Sequence, residues 1–243
     1  MNRYAMPVHP KVLEQDYKTE PVILFDILNL TKKLKEIDSL ENLKKENKIR
    51  FELLLKILNK FLAKTWYAIN LKKGINLKNR EKLVPLFKEM NRLFANGVEY
   101  YPRSLYRGVR LSRVLGPTAL RDTYPDSIND PVVLEHLESL AYGLRSWTKD
   151  VGMAQDWAEG VVEGGGESAE GRDLVVFQIK KPKIILDADK VIEYYYANLD
   201  TYTHMLDTEE VILNVKNPKV LEIYRERKFS SYQDIYHVVI KDS

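Results

Sequence analysis

The sequence predicts an α+β fold, a helical N-terminal region followed by a part built from short strands. Two observations carry that expectation. Between residues 21 and 95 apolar side chains recur at spacings of three and four, the period of one helix face. Beyond Gly97 the apolar runs shorten and are punctuated by glycine and proline, the texture of strands joined by turns. A division is expected between residues 97 and 98, giving a helical region over 1–97 and a second region over 98–243.

Residues 1–19 carry Pro7 and Pro10 and read as extended and irregular. Pro21 suits the first turn of a helix, where its missing N–H has no intrahelical partner to lose. Val22, Ile23, Phe25, Leu28, Leu30 and Leu34 then form an apolar face up to about Ile37. Ser39 or Asn42 can cap a second, longer helix. Its apolar positions run from Phe51 through Leu54, Leu55, Leu58, Phe61 and Leu62 to Trp66, and Gly74 ends it. A third helix is expected over about Arg80–Ala95, with Leu83, Leu86, Phe87, Met90 and Phe94 on one face. Pro85 is tolerable there only because it lies near the start, and Asn96-Gly97 stops the helix.

The second half opens with a candidate strand, LYRGVRLS at 105–112, followed by the turn-rich DTYPDSINDP at 122–131. A short helix is expected near Val132–Leu144. LRSWTKDVGMAQDWAEG then reads as a strand turning into a helix, and residues 159–173 as an acidic loop with five glycines. Strands are expected at Leu174–Ile179 and Ile184–Leu186, and a helix or strand near Val191–Tyr196. EEVILNV, KVLEIY and IYHVVIKD supply three closing strands.

Composition narrows the function classes. A chain of 243 residues with 44% hydrophobic content can bury a sizeable core. It has no cysteine, so it forms no disulfide and no thiolate metal site. His9, His136 and His237 are scattered without ligand spacing, and no metal is expected. No apolar run approaches the ~18 residues that span a bilayer, so a cytoplasmic protein without a membrane partner is expected. The net charge of +3 hides an asymmetry: residues 1–100 hold 20 Lys+Arg against 12 Asp+Glu, the remainder 18 against 23. The basic half suits nucleic acid or an acidic protein surface. It equally suits solvated faces of lysine-rich helices, since lysine and glutamate interleave and no aromatic-basic stripe stands out. There is no Walker motif and no dinucleotide G-x-G-x-x-G; the glycine run 164–166 follows no strand and lacks a lysine.

Three polar signals fall at strand edges. Arg107 sits between Leu105-Tyr106 and Gly108, a charge carried on a strand; the plain alternative is a surface arginine on an edge strand. Ser146 and Thr148 are two residues apart, so both face one side of a strand. Asp207, Glu209 and Glu210 directly precede Val211-Ile212-Leu213. A fixed cation, a hydroxyl pair and a carboxylate can form one site.

In that order, LYRGV, SWTKDVGMAQDWA and TEEVIL resemble the arginine-serine-glutamate class of mono-ADP-ribosyltransferases, which includes bacterial toxins and phage-encoded enzymes. The resemblance covers about residues 100–225. It implies two small, mainly antiparallel sheets forming an NAD cleft in a catalytic core over 98–243, preceded by the helical region 1–97, which would form the cleft's outer wall or recognise the target. It also implies NAD as substrate, Glu210, Arg107 and Ser146 as catalytic residues, and Arg107, Gly108, Ser146 and Thr148 as NAD-binding residues. Glu210 would hold the ribose 2′-hydroxyl and stabilise an oxocarbenium-like centre, as in glycoside hydrolysis. Arg107 would pair with the phosphates through its planar fork of donors. Gly108 would let the backbone approach the ligand. Ser146 would position Glu210 or the ribose, while Thr148 serves either the ligand or the fold. The loop 159–173, with Arg172 its only obvious phosphate partner, is an expected lid. The segment before Glu210 is an expected acceptor loop with Tyr202, His204 and Thr208.

One departure matters. Arginine-modifying members of the class carry a glutamate two residues before the catalytic one, and here that position is Thr208. A shifted register makes Glu209 catalytic with Asp207 two before it. The implied partner is a macromolecular acceptor, a host protein for a toxin-like or phage effector, with nucleic acid open. The rivals are an NAD glycohydrolase, in which water takes the ribosyl group, and a non-catalytic basic module that binds RNA or protein.

Overall fold

The computed structural model describes residues 20–70, 83–95, 102–110, 130–159, 173–198, 210–228 and 233–243. Its helices are α1 (Glu20–Lys35), α2 (Leu40–Glu46), α3 (Lys48–Asn70), α4 (Leu83–Phe94), α5 (Pro131–Ala141), α6 (Val151–Glu159) and α7 (Ala188–Asn198). Its strands are β1 (Ser104–Arg110), β2 (Gly143–Thr148), β3 (Leu174–Lys180), β4 (Ile184–Asp187), β5 (Glu210–Val215), β6 (Pro218–Lys228) and β7 (Gln233–Asp242). The segment near Val191–Tyr196, open between helix and strand in the sequence, is the helix α7.

Hydrogen bonding joins the strands in the single order β4-β5-β2-β1-β3-β7-β6. The two separate sheets implied by the resemblance are therefore replaced by one among the described residues. The reason lies in β1, which pairs antiparallel with both β2 and β3 and so leaves no open edge where a first sheet could end. β3 then pairs with β7 in parallel, which departs from a purely antiparallel core. β6 closes the order antiparallel to β7, with a register irregularity between Val220 and Glu222. Lys219, Glu222, Arg225 and Glu226 are exposed on this long edge strand, and charges and a bulge are how sheet edges resist pairing with other chains.

Packing divides the chain into two compact units. The first joins residues up to Glu99 with Ile184–Ile212, and the second joins Tyr100–Lys183 with Leu213–Ser243. The early helices thus share their unit with β4 and α7, far along the chain.

In the first unit, the period-3.6 faces read from the sequence turn inward. Leu34 of α1, Leu55 and Leu58 of α3, and Leu83, Leu86, Phe87 and Met90 of α4 are fully buried. The expected long second helix is two helices broken at Asn47. Ser39 Oγ accepts from the Asn42 N–H at 3.1 Å and starts α2. The Asn47 N–H closes α2 on the Leu43 carbonyl at 2.8 Å, while its Oδ1 accepts from the Arg50 N–H at 3.0 Å and starts α3. One asparagine therefore ends one helix and begins the next. Arg92 of α4 donates through Nη2 to the carbonyls of Leu34 and Ile37, bracing the turn that follows α1. Phe94 meets Tyr194 and Tyr195 of α7 edge-on, with centroids 5.3 and 5.7 Å apart.

In the second unit, Leu174–Phe177 of β3 and Ile235–Ile240 of β7 are buried at every position. Apart from His237 these runs are apolar, as expected of strands covered on both faces. α5 starts on Asp130, whose Oδ1 accepts from the Val132 and Val133 N–H groups, with Pro131 in its first turn. It ends before Gly143, whose φ of 86° suits glycine. Glu138 of α5 pairs with Lys219 of β6 at 3.0 Å.

Candidate active site

β1 is an interior strand, so Arg107 is not a surface residue on an edge. It stands opposite Phe177 of β3 and is only 8% exposed. Its Nη1 donates to the Ser146 main-chain carbonyl at 2.8 Å. The first two sequence motifs, 39 residues apart, thus meet through a buried charge-assisted bond.

Tyr106 lies opposite Thr148, and opposite residues of an antiparallel pair share a face. Tyr106 packs against the cluster that Ala154 and Ala158 of α6 form with Leu174, Val176 and Ile235, and a Cβ at Gly108 would point into α6. Alternation then puts Gly108, Ser146 and Thr148 toward α6 and Arg107 on the other face. The guanidinium reaches the β2 main chain rather than the Ser146 hydroxyl. Ser146 Oγ is buried and has no hydrogen-bond partner among the described residues.

Gly108 makes its close approach to α6. A Cβ there would lie 1.7 Å from the Ala154 carbonyl oxygen and 2.7 Å from the Ala158 nitrogen, so any side chain forces the helix off the strand. Thr148 is fully buried, and its Oγ1 accepts from the Asp150 N–H at 3.1 Å. Asp150 Oδ1 in turn accepts from the Gly152 N–H at 2.7 Å. Together they turn the chain from β2 into α6. Asp150 is a residue that the sequence reading missed, although Thr-x-Asp before a helix is a capping signal.

Glu210 is the first residue of β5; its side chain lies outside the described residues. Tyr202, His204, Asp207, Thr208, Glu209, Arg172 and most of the loop 159–173 also lie outside them. Among the described residues no group of three His, Asp or Glu side chains is placed to hold a metal ion, and no helix is long and apolar enough to cross a membrane. Away from these motifs, His237 is buried with Nε2 2.6 Å from Glu226 Oε2, and Tyr224 stacks on its ring at 4.8 Å.

No family model and no curated protein matches the sequence. Among solved structures, the chain is similar to an ADP-ribosyltransferase toxin from Paenibacillus larvae, at 10% identity and TM-score 0.35, covering 89% of this chain and 96% of that one. It is similar to Vis toxin, an ADP-ribosyltransferase from Vibrio splendidus, at 12% identity and TM-score 0.36, covering 90% and 85%. It is also similar to an ADP-ribosyltransferase from Clostridium botulinum, at 14% identity and TM-score 0.32, covering 85% and 98%. Likenesses at this level leave the site to be judged from its own residues.

Proposed function

We propose that this chain is a mono-ADP-ribosyltransferase that uses NAD and transfers ADP-ribose to a macromolecular acceptor, a protein. The observation that supports the reading most is the buried Arg107–Ser146 contact. A buried arginine on an interior strand is expensive unless bonded, and this one ties together two of the three motifs that the chemistry requires. The orphaned Ser146 hydroxyl suits a polar ligand or a carboxylate partner.

In this reading the bond between the nicotinamide nitrogen and the ribose anomeric carbon breaks, and nicotinamide leaves with the electron pair. Glu210 holds the ribose 2′-hydroxyl and offsets the positive charge growing on the ring. Arg107 contributes a fixed positive charge toward the phosphates while it clamps β1 to β2. Ser146 positions the Glu210 carboxylate or the ribose from the α6 face of the sheet, the side away from the Arg107 guanidinium, and Gly108 and Thr148 keep α6 seated. An acceptor nucleophile then bonds to the anomeric carbon and gives up its proton. Thr208, where arginine-modifying enzymes carry glutamate, favours an acceptor other than arginine.

The test is incubation with labelled NAD and bacterial lysate, comparing wild type with Glu210→Ala. Protein-bound label and nicotinamide release are both expected from the wild type and both fall about 1,000-fold in the variant. Nicotinamide release without transfer would make it a glycohydrolase. Label removed by nuclease would make the acceptor nucleic acid. Neither activity from wild type would sink the reading.

A further inference from the structure

We propose that an exposed aliphatic stripe on α3 is the surface on which the acceptor protein docks, seating in that protein's apolar groove with an acidic rim. The proposal rests on the transferase reading and names the partner chemistry that reading leaves open.

α3 already buries one full face: Phe51, Leu55, Leu58 and Leu62 are within 1% of complete burial. A surface helix needs only one such face. Yet Ile49, Leu53 and Ile57 on the outer side are 81%, 57% and 45% exposed. Spaced four residues apart, they stand one above another along the helix. Single exposed apolar residues are ordinary on a protein surface, whereas a contiguous row marks a contact site.

The flanks select the occupant. At 3.6 residues per turn, Arg50 lies about 60° to one side of Leu53 and Lys56 about 60° to the other, and both are exposed. On the Lys56 side Glu52 lies between Lys48, 3.9 Å away, and Lys56, so that border keeps a net positive charge, as does the Arg50 border. A lipid surface calls for a wide apolar face with aromatic anchors, and among the described residues the exposed row is narrow and aliphatic, with Phe61 one turn further on partly buried. Single-stranded nucleic acid calls for aromatic platforms between the basic residues, and among the described residues the exposed row has none. A second copy would set Arg50 and Lys56 against like charges. A groove that takes i, i+4, i+8 aliphatic knobs and carries carboxylates on its rim meets both features.

The experiment compares wild type, Leu53→Glu and the charge reversal Arg50→Glu/Lys56→Glu, all in the full chain. Each is assayed for nicotinamide release in buffer and for protein-bound label in lysate, with circular dichroism melts as a folding control. Loss of labelling of about tenfold or more in both variants, with nicotinamide release within about twofold of wild type, is the expected result. The double reversal is also expected to flatten the salt dependence of labelling. Unchanged labelling in Leu53→Glu overturns the proposal while leaving the transferase reading standing. Wild-type binding to anionic phosphatidylserine vesicles that Leu53→Glu abolishes overturns it in favour of a lipid surface. Absence of nicotinamide release from wild type defeats the transferase reading itself, and the docking proposal with it.

Discussion

A buried hydroxyl without a partner costs stability, and among the described residues the Ser146 hydroxyl has none. A chain selected for stability alone would place alanine there. Ser146→Ala is therefore expected to leave urea-measured stability unchanged or raise it by about 1 kcal/mol, and to lower nicotinamide release roughly 100-fold. Arg107→Ala behaves differently, because it also strips the Ser146 carbonyl of its donor and is expected to cost about 2 kcal/mol. The contrast separates a hydroxyl kept for a ligand from an arginine that also holds the sheet. If Ser146→Ala destabilises the fold and spares activity, the hydroxyl is structural.

At the scale of elements, caps decide where helices stop, and Asn47 is the clearest case. It closes α2 through its N–H and opens α3 through its Oδ1. Asn47→Ala is expected to cost about 1 kcal/mol, measured by urea denaturation. Asn47→Asp, which keeps the accepting oxygen, should recover most of it; failure to recover would mean the side-chain bond contributes little. This break also shows what the sequence made legible. The apolar spacing from Phe51 to Leu62 located the buried face of α3, because period and burial have one cause. It was blind to the break, since Leu43 of α2 and Phe51 of α3 are both buried and the pattern runs across. Strands were readable where both faces are apolar, as in β3 and β7. The joining of strands into one sheet was not, because β1–β3 and β3–β7 pairing links residues whose distance in sequence carries no local signal. The site divided the same way. LYRGV and SWT could be set on strands from their alternation, whereas the Arg107 bond to a main-chain carbonyl leaves no trace in residue types.

For the whole molecule, phenols held protonated by burial and by neighbouring carboxylates set an alkaline limit. Burial pushes Tyr195 well above its ordinary value near 10, and its hydroxyl has no partner among the described residues. Tyr194 is raised by burial first and then by its hydrogen bond to Glu41. Tyr224 is raised by burial and by the nearby Glu222 and Glu226 carboxylates. Below about pH 10 these phenols are protonated in both folded and unfolded chains and stability does not depend on them. Above it the unfolded chain releases protons that the folded chain keeps, so the unfolded state binds fewer protons and stability falls as pH rises. The buried Tyr195 alone contributes a loss of about 1.4 kcal/mol per pH unit in that range. Tyr195→Phe removes both this loss and an unsatisfied polar group. Its stability is expected to exceed wild type by about 1 kcal/mol at about pH 8 and by more at about pH 11, with urea midpoints across that range as the measurement. A pH profile parallel to wild type would show that Tyr195 ionises as freely in the folded protein as in the unfolded one, and the alkaline loss would then belong to other groups.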